Sequence, residues 1–198
     1  MTSRAWSRRD FVRTGIAVGG GLLVTVYGAG CAPKDGASSA GPNEIWDANA
    51  FIRLGDDGSV TIFSKHLEMG QGAYTGLATI VADELDADWS RVRVEGAPAD
   101  AQRYGNSAFG GIQGTGGSTA VANSWEQHRQ AGATARALLL AAAAQQWSVP
   151  VEELSTEPNT VVHTKSRRRA AYGSLVTAAA TLPVPDNVPL KDPKDFRY

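Results

Sequence analysis

The sequence predicts an α+β fold, a mixed sheet with helices packed on it, and three observations carry that expectation. Residues 59–64 and 91–95 alternate apolar Val60, Ile62, Val92 and Val94 with polar neighbours, the period of a strand with one covered face. Between them Leu77, Ile80, Val81 and Leu85 recur at the three-and-four spacing of a helix face. From 118 to 147 a second stripe of that spacing, Val121, Trp125, His128, Gly132, Ala135, Leu139 and Ala142, predicts a long helix with one buried face. The order strand, helix, strand, long helix asks for a sheet covered by helices.

In chain order, residues 1–31 read as an export signal. Ser7-Arg8-Arg9-Asp10-Phe11-Val12-Arg13 is similar to the twin-arginine motif, and the apolar, glycine-rich stretch 14–30 behind it is too short to span a bilayer comfortably. Cys31 is the single cysteine of the chain, so neither an internal disulfide nor a multi-cysteine metal or iron-sulfur site can be built. It follows Gly28-Ala29-Gly30, the place of a lipoprotein's acylated cysteine, although Gly28 departs from the leucine-like residue usual there. Residues 32–43, rich in Ala, Gly, Ser and Pro, read as a flexible tether, and 44–198 as the folded part. A formal net charge of −1 over 198 residues gives no electrostatic reason to expect nucleic acid. The one basic cluster of the body, Arg167-Arg168-Arg169, reads as a solvated turn.

Within the folded part, 51–54 and 59–64 predict a hairpin around Gly55-Asp56-Asp57-Gly58. A helix of about a dozen residues follows Gly72 and ends in Asp83-Glu84-Leu85-Asp86. Residues 96–117 have no period and hold Tyr104, Asn106 and Phe109, which predicts a loop closing over a ligand or a neighbouring domain. On the long helix, Glu126, Arg129 and Arg136 line up beside the stripe as solvated side chains, while His128 falls within it as a hydrogen-bonded core histidine. A strand at 160–164, a helix at 172–180 and a Pro-rich end complete the chain.

Two glycine-rich junctions carry what chemistry the residues offer. In Lys65-His66-Leu67-Glu68-Met69-Gly70-Gln71-Gly72 a strand ends and a helix begins, so Gly70 and Gly72 admit a sharp turn and the helix amides point at whatever lies there. Gln71 can donate and accept hydrogen bonds. The second junction, Gly110-Gly111-Ile112-Gln113-Gly114-Thr115-Gly116-Gly117-Ser118-Thr119, also runs into a helix, with Ser118 or Thr119 placed to cap it. A plain loop and a plain cap satisfy the same residues; an anion at the same amides is the sharper alternative. His66 and Glu68 lack a third partner for a metal. A dinucleotide site lacks its third glycine, its leading buried strand and an acidic residue about twenty positions on.

The Glu68 to Gly72 run, the Gly116-Gly117-Ser118-Thr119 run and Ala131-Gly132-Ala133-Thr134-Ala135-Arg136 together resemble the molybdenum-cofactor-binding subunits of the xanthine dehydrogenase and aldehyde oxidase family, in particular those of the isoquinoline 1-oxidoreductase beta type. The likeness runs from about Asn49 to Tyr198. It implies the N-terminal portion of a molybdenum-cofactor-binding domain, taking molybdopterin or its cytosine dinucleotide through Met69, Gly70, Gln71, Gly72, Gly116, Gly117, Ser118 and Thr119. It implies further an aldehyde or N-heterocycle substrate, an iron-sulfur subunit to receive electrons, and the rest of a large subunit carrying the glutamate base, so that no residue here is assigned a catalytic role. The metal would be held by the dithiolene of the pterin rather than by protein ligands. Periplasmic location and a lipid tether at Cys31 follow from the leader. The competing expectation is an exported, tethered binding module, or an inactive truncated piece.

Overall fold

The computed structural model describes residues 51–198 in full and, of the chain before them, the backbone of 13–16, 21–25 and 50. The described residues form two sheets and four α-helices. The larger sheet has the order β1 (Arg13–Ile16), β2 (Gly21–Thr25), β3 (Ala50–Gly55), β4 (Val60–Ser64), β5 (Val92–Gly96). Its first four strands run antiparallel, and β5 joins β4 in parallel. The predicted hairpin is present, with Ile52 opposite Ile62 and Leu54 opposite Val60, and Gly58 turns it at φ 81°. Strands β1 and β2 fall inside the stretch read as an export signal, and the backbone there lies on the β3 edge of the sheet; the Ser7 to Val12 motif and Cys31 lie outside the described residues.

A parallel neighbour needs a crossover, and α1 (Ala73–Leu85) supplies it. It buries Leu77, Ile80, Val81 and Leu85 as its spacing predicts, and Asp86 closes it in the left-handed region at φ 55°. The long helix, α3 (Ala120–Trp147), crosses α1 at Gly132, where a Cβ would stand 2.8 Å from both Glu84 Cβ and the Val81 carbonyl oxygen. That contact is why a glycine and a run of alanines occupy this stretch. The buried part of the stripe runs from His128 to Ala142. Val121 and Trp125, expected in the core, are 46% and 40% exposed, and Trp125 meets the ring of Phe196 in the C-terminal segment at 6.4 Å instead.

A meander of β6 (Ser155–Glu157), β7 (Thr160–His163) and β8 (Arg168–Ala171) forms the second sheet, and α4 (Tyr172–Ala180) follows it. The basic cluster is therefore more than a turn: Arg167 turns the chain at φ 57°, while exposed Arg168 and Arg169 begin a strand. Asn159 fastens the two sheets together, its side chain accepting from the Asp88 amide at 2.9 Å and donating to the Gly58 carbonyl at 2.7 Å.

Candidate functional site

Both glycine-rich junctions come together at the C-terminal end of β4. The Leu67 amide donates to Thr115 Oγ1 at 2.9 Å, and the same hydroxyl lies 3.4 Å from His66 Nδ1. A Cβ at Gly76 on α1 would stand 3.8 Å from Val121 Cγ2 on α3, so the starts of the two helices lie side by side. The expected loop at 96–117 has structure of its own: α2 (Ala101–Tyr104) and a 3₁₀ turn over Ser107–Phe109.

Asn106 organises that loop. Fully buried, it donates to the Gly114 carbonyl at 3.2 Å and to Thr119 Oγ1 at 2.8 Å, and accepts from the Ala108 amide at 3.0 Å. Its backbone bonds Ile112 and Gly111 across the loop. An asparagine in a glycine-rich segment reads as one more turn residue, and its role rests on partners that only the fold assembles. The ring of Phe109 lies against Gly114, Gly116 and Gly117.

The two helix starts differ from expectation. At α1, Glu68 takes the amides that were expected to face a ligand: its carboxylate accepts from Gly70 at 2.7 Å, Gly72 at 3.0 Å and Tyr74 at 2.9 Å. Those bonds, the Tyr74 amide first, hold its pKa below the ordinary glutamate value. Gln71 is turned onto its own loop, accepting from the Met69 amide at 2.6 Å and donating to the Leu67 carbonyl at 2.7 Å. At α3, neither Ser118 nor Thr119 caps through its side chain. Thr119 is the capping residue by position, but its hydroxyl donates to the Gly116 carbonyl at 2.8 Å and accepts from Asn106. Gly117 and Ser118 both stand at φ 56°, and the first-turn amides of α3 are left without a side-chain cap.

Behind the turn lies a buried polar cluster. Lys65 donates to Gln127 Oε1 at 2.8 Å and to the Asn123 carbonyl at 3.4 Å, and burial lowers its pKa to about 8. His66 and His128 are buried as well, His128 with an unpaired Nε2; burial holds the His128 pKa down at about 3 and also lowers that of His66. His128 is the core histidine expected, its Nδ1 3.1 Å from the Ser124 carbonyl and its ring 4.7 Å from that of Phe51. His66 and Glu68 are thus turned to separate work, and no trio of metal-ligating side chains occurs among the described residues.

The outward side of these junctions is open. At Gly70, Gly72, Gly110 and Gly111, nothing beyond the chain neighbours lies within 4 Å of where a Cβ would stand, and Leu67, Met69, Phe109 and Ile112 expose apolar surface around them. Uncapped helix amides, an exposed glutamine amide and an apolar rim suit a fused-ring cofactor that carries a phosphate. The residues therefore fit a pterin cofactor.

Comparison with known proteins shows the family. The chain matches the Molybdopterin cofactor-binding domain family over residues 2–197. It is 40% identical over 180 residues to the beta chain of isoquinoline 1-oxidoreductase from Brevundimonas diminuta, covering 89% of this chain and 23% of that protein. One component of nicotinate dehydrogenase from Pseudomonas putida is 34% identical over 154 residues, or 74% of this chain and 12% of that one. CO dehydrogenase from Oligotropha carboxidovorans shares the fold at a TM-score of 0.52 and 22% identity, over 64% of this chain and 15% of that chain. The chain thus spans less than a quarter of the length of these relatives. It belongs to the Molybdopterin cofactor-binding domain family, and its cofactor is the molybdenum cofactor.

Proposed function

We propose that this chain supplies the N-terminal, cofactor-contacting portion of a molybdenum hydroxylase subunit that oxidises aldehydes or N-heterocycles and passes electrons to an iron-sulfur partner. The observation that carries this reading is the Leu67 to Thr115 hydrogen bond, which makes one face of two glycine-rich junctions. When bound, the cofactor supplies the two-electron redox chemistry. This chain's part is to bind and orient it. Gln71 would exchange its two loop bonds for polar edges of the pterin, while Gly70 and Gly72 leave room for approach and Met69 covers an apolar side. Gly116, Gly117, Ser118 and Thr119 would set the α3 amides against a phosphate. No base for substrate is assigned within the chain, so the isolated chain is expected to turn over nothing and to need the rest of the large subunit.

Loading of molybdenum and pterin in the assembled enzyme tests the site. Replacing Gln71 by Ala removes hydrogen bonds worth about 0.7 to 2.7 kcal/mol, so retention should fall roughly three-fold to a hundred-fold. Gly70→Val should do worse, since φ 97° strains any side chain and the open space beside it would be filled. Normal loading of both variants, with unchanged melting, would move the cofactor elsewhere. Protein that carries neither molybdenum nor pterin would favour a non-catalytic binding module.

The twin-arginine leader motivates a periplasmic location for the mature protein, with Cys31 as a lipid tether. Replacing Arg8 and Arg9 with Lys should strand the precursor in the cytoplasm, and Cys31→Ala should release the exported protein into the soluble fraction. Mature protein outside the inner membrane in the first variant would exclude the pathway.

A further inference from the structure

We propose that Glu68 is the positioning residue of the Gly70-Gln71-Gly72 turn: its carboxylate fills the anion seat at the start of α1 and holds the turn in the shape that presents Gln71. This deepens the cofactor reading above and rests on it for its last step. The geometry is specific. Glu68 Oε1 accepts from Gly70 and Gly72, and Oε2 accepts from Tyr74, so one side chain gathers the amides on both sides of Gln71. Gly72, the capping residue of α1 by position, has no side chain with which to do this, and the turn is otherwise exposed.

Gly70 and Gly72 stand at φ 97° and 82° with open space beside them, so packing does not hold this conformation. A turn of two glycines has many alternatives in solution, and three bonds to one carboxylate select among them. The helix start is already neutralised by a carboxylate, and a phosphate at the same amides would meet it as a like charge. Gln71, whose two bonds are to exposed loop groups, is free to exchange them for those of a ligand; Glu68 is not.

Because hydrogen bonding to the ionised carboxylate lowers the folded pKa, the lock is whole above the ordinary glutamate value of 4.5 and is lost as pH falls through the folded value. In the uniformly ¹⁵N-labelled chain, the amide proton shifts of Gly70, Gly72 and Tyr74 should titrate together with one midpoint below 4.5, and Glu68→Gln should abolish that titration. In the assembled enzyme Glu68→Gln should reduce molybdenum and pterin retention, beside a fall in melting temperature no larger than the loss of one helix cap, about 0.5 to 2 kcal/mol, explains. Three amide shifts that titrate with separate midpoints, or with a midpoint at or above 4.5, or that titrate unchanged in Glu68→Gln, would overturn the lock. A shared titration with normal cofactor retention in Glu68→Gln would overturn the positioning role and leave a helix cap. Failure of the cofactor reading itself shows elsewhere, as normal loading in Gln71→Ala, and the titration does not depend on it.

Discussion

Along α3 lie two buried polar regions built in opposite ways. Near its start, Lys65, His66, Ser124 and His128 gather positive and neutral groups; among the described residues no carboxylate pairs with Lys65, and His128 Nε2 and Ser124 Oγ have no hydrogen-bond partner. Near its middle, Glu84, Asp86 and Asp83 from the end of α1 meet Arg129, Arg136, Lys191 and Arg197. Glu84 pairs with Arg129 at 2.6 Å and Arg136 at 3.7 Å, and Asp86 with Lys191 at 2.8 Å and Arg197 at 3.4 Å. The Arg197 amide adds a bond to Asp83 at 2.7 Å. Ion pairs tie α1, α3 and the C-terminal segment into a scaffold in which, among the described residues, Asp83 Oδ2 is left unpaired, whereas the region poorer in partners sits directly behind the turn read as the cofactor site. Departures from full polar satisfaction concentrate where a protein does something other than hold itself together.

The sharpest way to break this contrast is to remove the acid at the centre of the matched region. Glu84→Ala leaves Arg129 and Arg136 largely buried without their shared partner and should cost about 3 to 5 kcal/mol, read as a large fall in the denaturant midpoint. A loss below about 1 kcal/mol, the scale of an exposed ion pair, would mean that the knot is ornamental and the helices are held by Gly132 packing alone.

A smaller effect separates the two regions by pH. Buried Lys65 gives up its proton at about 8 in the fold against an ordinary value of 10.5. Between those values the unfolded chain keeps a proton that the folded chain has released, so stability rises with pH across the window. Lys65→Met should flatten that rise. A slope unchanged in the variant would assign it to another group and return Lys65 to the status of a solvated end.

How far the residues themselves announce these regions differs for a physical reason. The hairpin, α1, α3 and α4 are legible because a strand or helix declares itself through a local period, and Leu77, Ile80, Val81 and Leu85 are enough for α1. The knot is not legible. Arg129 and Arg136 look solvated on a helical wheel, and what buries them is Glu84, which lies 45 residues before Arg129 and reaches it through the α1 crossing. Asn106 is hidden for the same reason, since its bonds to Gly114 and Thr119 close a loop without periodicity. Glu68 is the intermediate case. A carboxylate a few residues before a helix is a local signal for capping, but with Gly70 and Gly72 in view the helix start reads as waiting for a ligand when it is already occupied. The short strands β6 and β8, with few apolar residues, carry too little pattern to be read before the sheet pairs them.

The smallest expected effect probes the join between the unmatched region and the exposed turn. Thr115 Oγ1 accepts the Leu67 amide and touches His66, so one hydroxyl links the two glycine-rich junctions to the cluster behind them. Thr115→Val keeps the shape and removes the acceptor. Leu67 is 64% exposed, so water can replace the lost partner, and the change in stability should stay within about 0.5 to 1.5 kcal/mol. If the two junctions act as one site, cofactor retention should still fall, by less than in Gln71→Ala, because the Gln71 turn and the α3 start no longer share a fixed separation. Unchanged retention in Thr115→Val beside a clear loss in Gln71→Ala would confine the site to the first junction and leave Gly116 to Thr119 as the start of a helix and nothing more.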